Sequence, residues 1–311
     1  MEKYVVGIGA ANVDIYGKSN INIKLHYDHP SIINTGVGGV TRNILENISL
    51  LGIKTVLLTA VGDDIYGHLI RSNSNKAHID VSKVLKVKGA RSGIFMQVQD
   101  KNNDMHIALC DMSISKHISI SYIKKNSTVI KNASAIILDP SIEDEVFEYV
   151  LNNFKVPVFV DPISVGYAKK MKKYVGKVYC IKPNVSELEA LSGIKINNDA
   201  DIKKAALKLI KKGTKRLFVS LGSKGCAYID NEGNYIKRGF KKVKKMVNAS
   251  GAGDCFFAAI VYSFIKDLNI SDTIDKALAA GIVATQSNEA INKKLSISLL
   301  NKTIKEYKNE L

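Results

Sequence analysis

The chain has 311 residues, 46% of them hydrophobic and 24% charged, which is ordinary for a globular protein with a sizeable core. Its formal charge of +16, from 45 Lys+Arg against 29 Asp+Glu, admits nucleic-acid binding. In segments such as 201–212, however, the lysines alternate with Ile202, Ala205, Ala206, Leu209 and Ile210 at helical spacing, which puts them on a solvated face.

Four dispersed cysteines (Cys110, Cys180, Cys226 and Cys255) show no CxxC or Cys/His spacing, against both a disulfide framework and a zinc site. No apolar run approaches the ~18–20 residues a bilayer crossing needs. The opening MEKYVVGIGAANVD reads straight into a strand with no basic-then-apolar leader. The expectation is a cytoplasmic protein with no membrane and no nucleic acid among its partners.

In chain order, short apolar, β-branched runs at 4–8, 55–60, 135–138, 158–160, 178–181 and 217–220 predict buried strands. Helical periodicity fills 40–51, 143–153, 185–191 and 201–212 between them. A strand at 226–229, a turn at 230–233 and apolar helices at 253–265 and 273–285 follow. Strands alternating with helices predict an α/β domain, its largely parallel sheet covered on both faces. Segments 15–34 and 92–111 break the pattern: both are extended and alternating, and neither leads promptly into a helix. They predict a small β-sheet lid on a single domain spanning 1–311. The basic block 237–245 reads as a solvated strand.

The strongest chemical signal is Asn248-Ala-Ser-Gly-Ala-Gly-Asp254, running into an apolar helix. Gly251, Ala252 and Gly253 allow backbone amides to converge at a helix start, where orphan N–H groups and the macrodipole favour phosphate. Asp254 reads as an N-cap or, beside such an anion hole, as a base that takes a proton from an attacking hydroxyl. Amides that stabilise charge and a carboxylate that accepts a proton are the parts phosphoryl transfer needs.

NASGAGD resembles the C-terminal signature of the ribokinase-like (PfkB) carbohydrate and nucleoside kinases. Further motifs of that family appear in its order along nearly the whole chain. They are Gly7-Ile-Gly-Ala-Ala-Asn12-Val-Asp14, Gly38-Gly39-Val-Thr-Arg-Asn43, Leu51-Gly52, Val61-Gly-Asp-Asp64 with Gly67, Asn184-Val-Ser-Glu187 and Ser220-Leu-Gly-Ser-Lys-Gly225. The resemblance implies a three-layer ribokinase-like α/β fold with a central, mostly parallel sheet and a β lid. It implies an ATP- and Mg²⁺-dependent kinase and leaves a monovalent-cation requirement open.

The resemblance places Asn12, Asp14, Gly38, Gly39 and Asn43 on the substrate, and Ser220, Gly222 and Gly225 around the nucleotide. It gives Asn184 and Glu187 to Mg²⁺ through water. Each has a plainer reading: a turn-forming Asp14, loop glycines, an Asn184/Glu187 capping pair, and a tight turn at 220–225. Departures are Ser250, where Thr is common, and Cys180 in a small apolar site.

The patches Gly38-Gly-Val-Thr-Arg-Asn-Ile-Leu-Glu-Asn47, Phe159-Val-Asp-Pro-Ile-Ser164, Ile181-Lys-Pro-Asn184 and Glu187-Leu-Glu-Ala-Leu-Ser-Gly193 resemble the pseudouridine-phosphorylating branch of that family. So do Ala108-Leu-Cys-Asp-Met112 and the late Glu289-Ala-Ile-Asn segment. Phosphorylation of a hydroxymethyl group on pseudouridine is the expectation, with ribose, another nucleoside or another furanose as the alternative. A basic nucleic-acid-binding regulator on a kinase frame competes from a different class, against which stand Asp254, Asn184 and Glu187. Asp111 is expected either to accept the N1–H of the base or to open a turn. A homodimer through the exposed edges of the lid completes the expectations.

Overall fold

The computed structural model describes residues 2–101, 105–241, 243 and 246–308. A nine-stranded sheet runs in the spatial order Tyr235–Arg238, Cys226–Asp230, Arg216–Ser220, Cys180–Ile181, Val158–Val160, Ala135–Leu138, Tyr4–Ile8, Lys54–Leu58 and Ile79–Asp80. Pairing is parallel from Arg216–Ser220 to Ile79–Asp80 and antiparallel for the two strands beyond.

Residue alternation splits the sheet's side chains into two cores. Val5, Leu57, Ile137 and Phe218 face one way, onto Ile44 of helix Val40–Leu50, Phe257 of helix Ala252–Ile265 and Ala277 of helix Ile270–Thr285. Val6, Leu58, Ile136 and Val219 face the other, onto Phe147, Leu188 and Leu209 of helices Asp144–Asn153, Val185–Ser192 and Asp199–Lys211. Both faces are thereby buried, and the fold is the ribokinase-like α/β arrangement the sequence leads one to expect. Among the described residues, no helix is long and apolar enough to cross a membrane.

A separate four-stranded sheet, ordered Ser31–Gly38, Asn12–Ser19, Gly93–Gln99 and Met105–Asp111, forms the lid. Its first strand begins at Asn12 rather than near residue 15, so Asn12 and Asp14 belong to the root of the lid, not to the end of the first core strand. Residues 102–104 of the expected lid segment lie outside the described residues. In the basic block, strand Tyr235–Arg238 pairs Lys237 with Asp199 and Arg238 with Asp275, while 242, 244 and 245 lie outside.

The lid's return strand turns sharply into helix Val40–Leu50 through Gly39, at φ 100°. A Cβ there would stand 2.6 Å from the carbonyl oxygen of Ala10, so only glycine fits the turn. That turn sets Gly38 and Asn43 beside the root of the lid.

Candidate active site

Three parallel strands are each followed at once by a charged residue: Asp139 after Ala135–Leu138, Asp161 after Val158–Val160 and Lys182 after Cys180–Ile181. All three are buried and lie at the carboxyl edge of the sheet, where open α/β sheets bind ligands. The helix Ala252–Ile265 starts at the same edge. Its N-cap, Gly251, is left-handed at φ 75°, and a Cβ there would come 1.9 Å from the Ala290 carbonyl oxygen. Asn248 fastens the preceding loop, accepting from the Ser250 amide at 2.9 Å and donating to the Asn288 carbonyl at 3.0 Å. Of the amides expected to meet a phosphoryl group, that of Ala252 is already engaged with the Ala249 carbonyl, at 3.3 Å.

Asp254 lies in the first turn of this helix, and its Oδ2 accepts a hydrogen bond from Asn43 Nδ2 at 3.2 Å. Burial and then the charge of Asp161 push its carboxyl up to about 7; Lys182 and the Asn43 bond pull the other way without prevailing. Asn43 is in turn oriented by Arg42, whose Nη1 donates to its Oδ1 at 3.3 Å. Arg42 is buried against Glu46 at 2.5 Å, and Lys293 closes that network from the late loop.

Asp14 occupies the lid root with both oxygens held: Asn12 donates at 2.5 Å and the Tyr16 hydroxyl at 2.9 Å. These three residues share one face of their strand by two-residue alternation. A Cβ on Gly38 would fall 2.1 Å from the Asp14 carboxylate, so the missing side chain is what gives the carboxylate its place. Burial raises the Asp14 carboxyl above its ordinary value despite these donors. Asp139 braces the floor by accepting from the Ala10 amide at 3.3 Å, the Thr41 hydroxyl at 3.1 Å and the Ser141 amide at 2.8 Å.

Farther along the same carboxyl edge, Lys182 Nζ meets Asp161 Oδ2 at 2.7 Å with both side chains only 7% exposed. Burial alone would lower the lysine, but the Asp161 carboxylate outweighs it and holds the ammonium above the ordinary lysine value. A Cβ on Gly253 would be 3.1 Å from that Nζ, which places the ammonium beside the start of helix Ala252–Ile265. Asn184 and Glu187 form a reciprocal capping box on helix Val185–Ser192, with both bonds at 2.9 Å. The cap uses one oxygen of Glu187 and leaves the other without a hydrogen bond among the described residues.

The segment 220–225 is the tight connection between antiparallel strands, with Gly222 and Gly225 at φ 60° and 95°. Ser220 donates to the Pro183 carbonyl at 3.4 Å, which ties the connection to the Asn184 cap.

The structure thus brings together Asn12, Asp14, Gly38, Gly39, Asn43, Asp254 and the Gly251–Gly253 loop, with Asn184, Glu187 and Ser220 on the adjoining strand ends. It does not bring Asp111 to them. Asp111 pairs with Ile94, whereas Asp14 is in register with Phe95, itself paired with Cys110. Asp111 therefore falls on the opposite lid face. Its carboxylate accepts from the Ser113 amide at 3.0 Å, so the turn-opening reading replaces the base-reading one. Tyr16, Arg42, Asp139, Asp161 and Lys182 join this cluster without having been singled out from sequence. For the last three the available signal was a charge placed directly after a buried strand.

The family model described as pfkB family carbohydrate kinase matches residues 2–297. Pseudouridine kinase of Escherichia coli (strain K12) is 33% identical over 298 residues, covering 95% of this chain and 94% of that protein. An uncharacterized sugar kinase of the same strain is 29% identical over 298 residues, covering 95% and 82%. Among solved structures, Arabidopsis thaliana ribokinase complexed with ribose and ATP shares the fold, with TM-score 0.85, 23% identity and coverage of 98% and 99%.

Proposed function

Because the chain belongs to the pfkB family of carbohydrate kinases, we propose that it transfers the γ-phosphoryl group of ATP to the 5′-hydroxymethyl group of pseudouridine. The observation that carries the reaction class is Asp254, a half-buried carboxylate with its pKa raised to about 7 and hydrogen-bonded to Asn43, in the first turn of the helix behind the Gly251–Gly253 loop. The acceptor is supported by the relative at 33% identity and by the Gly38–Asn47 motif.

The acceptor's ring hydroxyls bond Asp14 and Asn12, which leaves its hydroxymethyl group at Asp254. Asp254 takes the hydroxyl proton as the oxygen attacks the γ-phosphorus; the bond to the β–γ bridging oxygen breaks, and ADP leaves. The helix-start amides and Lys182 receive the charge on the transferring group. A base near pKa 7 is matched to this work at neutral pH.

Among the described residues, no three His, Cys, Asp or Glu side chains converge into a metal cage. One buried carboxylate with an oxygen to spare suits Mg²⁺, which takes one or two carboxylates plus substrate phosphates and keeps several waters. Glu187 and Asn184 would hold it through water, and the bound ion would neutralise the β- and γ-phosphates.

The deciding test is ATP consumption with pseudouridine, uridine, ribose, adenosine and fructose, with product masses and Mg²⁺ titrated in parallel for Glu187→Gln. Pseudouridine should give the highest kcat/KM and a 5′-monophosphate; preference for another acceptor rejects the substrate. Gln preserves the capping bonds, so the variant should fold normally and need more Mg²⁺; an unchanged titration confines Glu187 to the cap.

The lid supports a homodimer. Ile33, Ile107 and Leu109, 69%, 54% and 61% exposed, stand on the face away from Asp14. A second copy would cover this apolar surface and the free sheet edges. Light scattering should give twice 34.1 kDa at micromolar concentration, reverting to a monomer in Leu109→Asp. A wild-type monomer rejects the dimer.

A further inference from the structure

We propose that Arg42 is a positioning residue for the transfer: it fixes which way round the Asn43 amide sits and so keeps a donor on Asp254. The inference rests on the reading of Asp254 as the base. It starts from an oddity of burial. Arg42 and Glu46 are each 1% exposed, on a helix whose Ile44, Leu45 and Ile48 belong to the core. A buried ion pair is seldom worth more to stability than apolar side chains of the same volume. Its place here is explained by something apolar side chains cannot supply.

What it supplies is a set of aimed donors. Arg42 Nε reaches the Ser74 hydroxyl at 3.5 Å and Nη2 the Asn73 side-chain carbonyl at 2.6 Å, both on helix Ile65–Lys76. Nη1 faces Glu46 Oε2 at 2.5 Å and donates to Asn43 Oδ1 at 3.3 Å. The other Glu46 oxygen meets Lys293 of the late loop. The planar fork is therefore fixed by two helices before it touches Asn43.

An Asn side chain has a donor end and an acceptor end of nearly the same shape. Asn43 Nδ2 donates to Asp254 Oδ2 at 3.2 Å while its Oδ1 takes the Arg42 bond. Turned over, the amide would set its carbonyl against the carboxylate and its NH2 against the guanidinium. Two hydrogen bonds would become two repulsions. Arg42 thus selects the orientation in which Asn43 supports the ionised base. Burial and the charge of Asp161 carry the Asp254 carboxyl up to about 7, and the Asn43 bond is one of the groups restraining it.

The test measures kcat, KM and the pH profile of kcat/KM with pseudouridine, plus the KM for ATP and thermal melts. The proteins are wild type, Arg42→Met with Glu46→Met, Asn43→Ala, and the triple variant. Replacing both partners strands no buried charge, and Lys293, 54% exposed, returns to water, so the double variant should melt near wild type. Its kcat should fall by about 10–100-fold, the scale of one hydrogen bond to a charged group, with KM for ATP within about twofold. The rising limb of kcat/KM should move to higher pH. Asp161, Lys182, Asp14 and Tyr16 also bear on the Asp254 charge, and all are unchanged in this variant.

The Arg42 charge reaches Asp14 through space as well, and that influence does not need the Asn43 amide. In the Asn43→Ala background the pair replacement should therefore move neither kcat nor the limb further. Should the double variant melt low, Arg42→Lys keeps a cation on Glu46 without the fork and should shift the limb the same way. A wild-type kcat and limb in both Arg42 variants, or equal losses with and without Asn43, overturn the assignment and leave the function intact. Near-normal turnover in Asp254→Asn overturns the base reading, and the role of Arg42 with it.

Discussion

Asp254→Asn is expected to fold, to bind ATP and to lose turnover by roughly 10²–10⁴-fold, the scale for removing a general base. The substituted side chain can still accept the Asn43 hydrogen bond, and the anion hole is backbone, so the loss should fall on kcat rather than on the nucleotide's affinity. In the wild type, the base works only when deprotonated. With its carboxyl at about 7, kcat/KM should rise with pH through a limb centred near 7 and level off above it. Stability should run the other way. A carboxyl whose folded value lies above its ordinary 3.8 holds its proton more tightly in the fold; the stabilisation is complete below about pH 4 and is lost as pH rises through 7. The Asn variant should therefore melt above wild type at pH 8, the gap closing towards pH 4. Near-normal turnover in the variant would remove Asp254 from the base's role. A flat melting difference across that range would show that the carboxylate is not held against its charge.

Local periodicity made most of the fold legible. The runs at 4–8, 135–138 and 158–160 match strands Tyr4–Ile8, Ala135–Leu138 and Val158–Val160, and the helical segments shift by no more than a few residues. These strands are covered on both faces, so they appear as unbroken apolar stretches. The lid was legible as two extended segments but not in its limits, because Asn12 and Asp14 are polar and read as a loop until the pairing with Gly36 and Gly38 is seen. The NASGAGD loop announced itself through composition. Lys182 and Asp161 did not: an isolated Lys and Asp look like surface residues unless their burial against each other, 21 positions apart, is known. Asp111 was misplaced for a related reason. Strand alternation sends neighbouring residues to opposite faces, and only the register with Ile94 tells which face it takes.

Lys182→Met should damage both stability and turnover, and the two effects can be separated. Removing one partner of a buried ion pair leaves the other charge uncompensated, a loss of about 3–5 kcal/mol in typical cases. Asp161 would be that stranded charge, so the melting temperature should drop clearly. Turnover should fall further than folding alone explains if the ammonium, which lies beside Gly253, meets the transferring phosphoryl group as proposed. Withdrawing one such donor typically costs about 10²–10³-fold in kcat. The double variant Lys182→Met with Asp161→Asn distinguishes the two. Asn carries no charge to strand and can still accept the Ile163 amide bond, so the loop after Val158–Val160 is preserved. Its melting temperature should return most of the way to wild type while kcat stays low, with KM for the acceptor little changed. If turnover recovers along with stability, Lys182 serves only to neutralise Asp161, and the charge at the anion hole comes from the helix start alone.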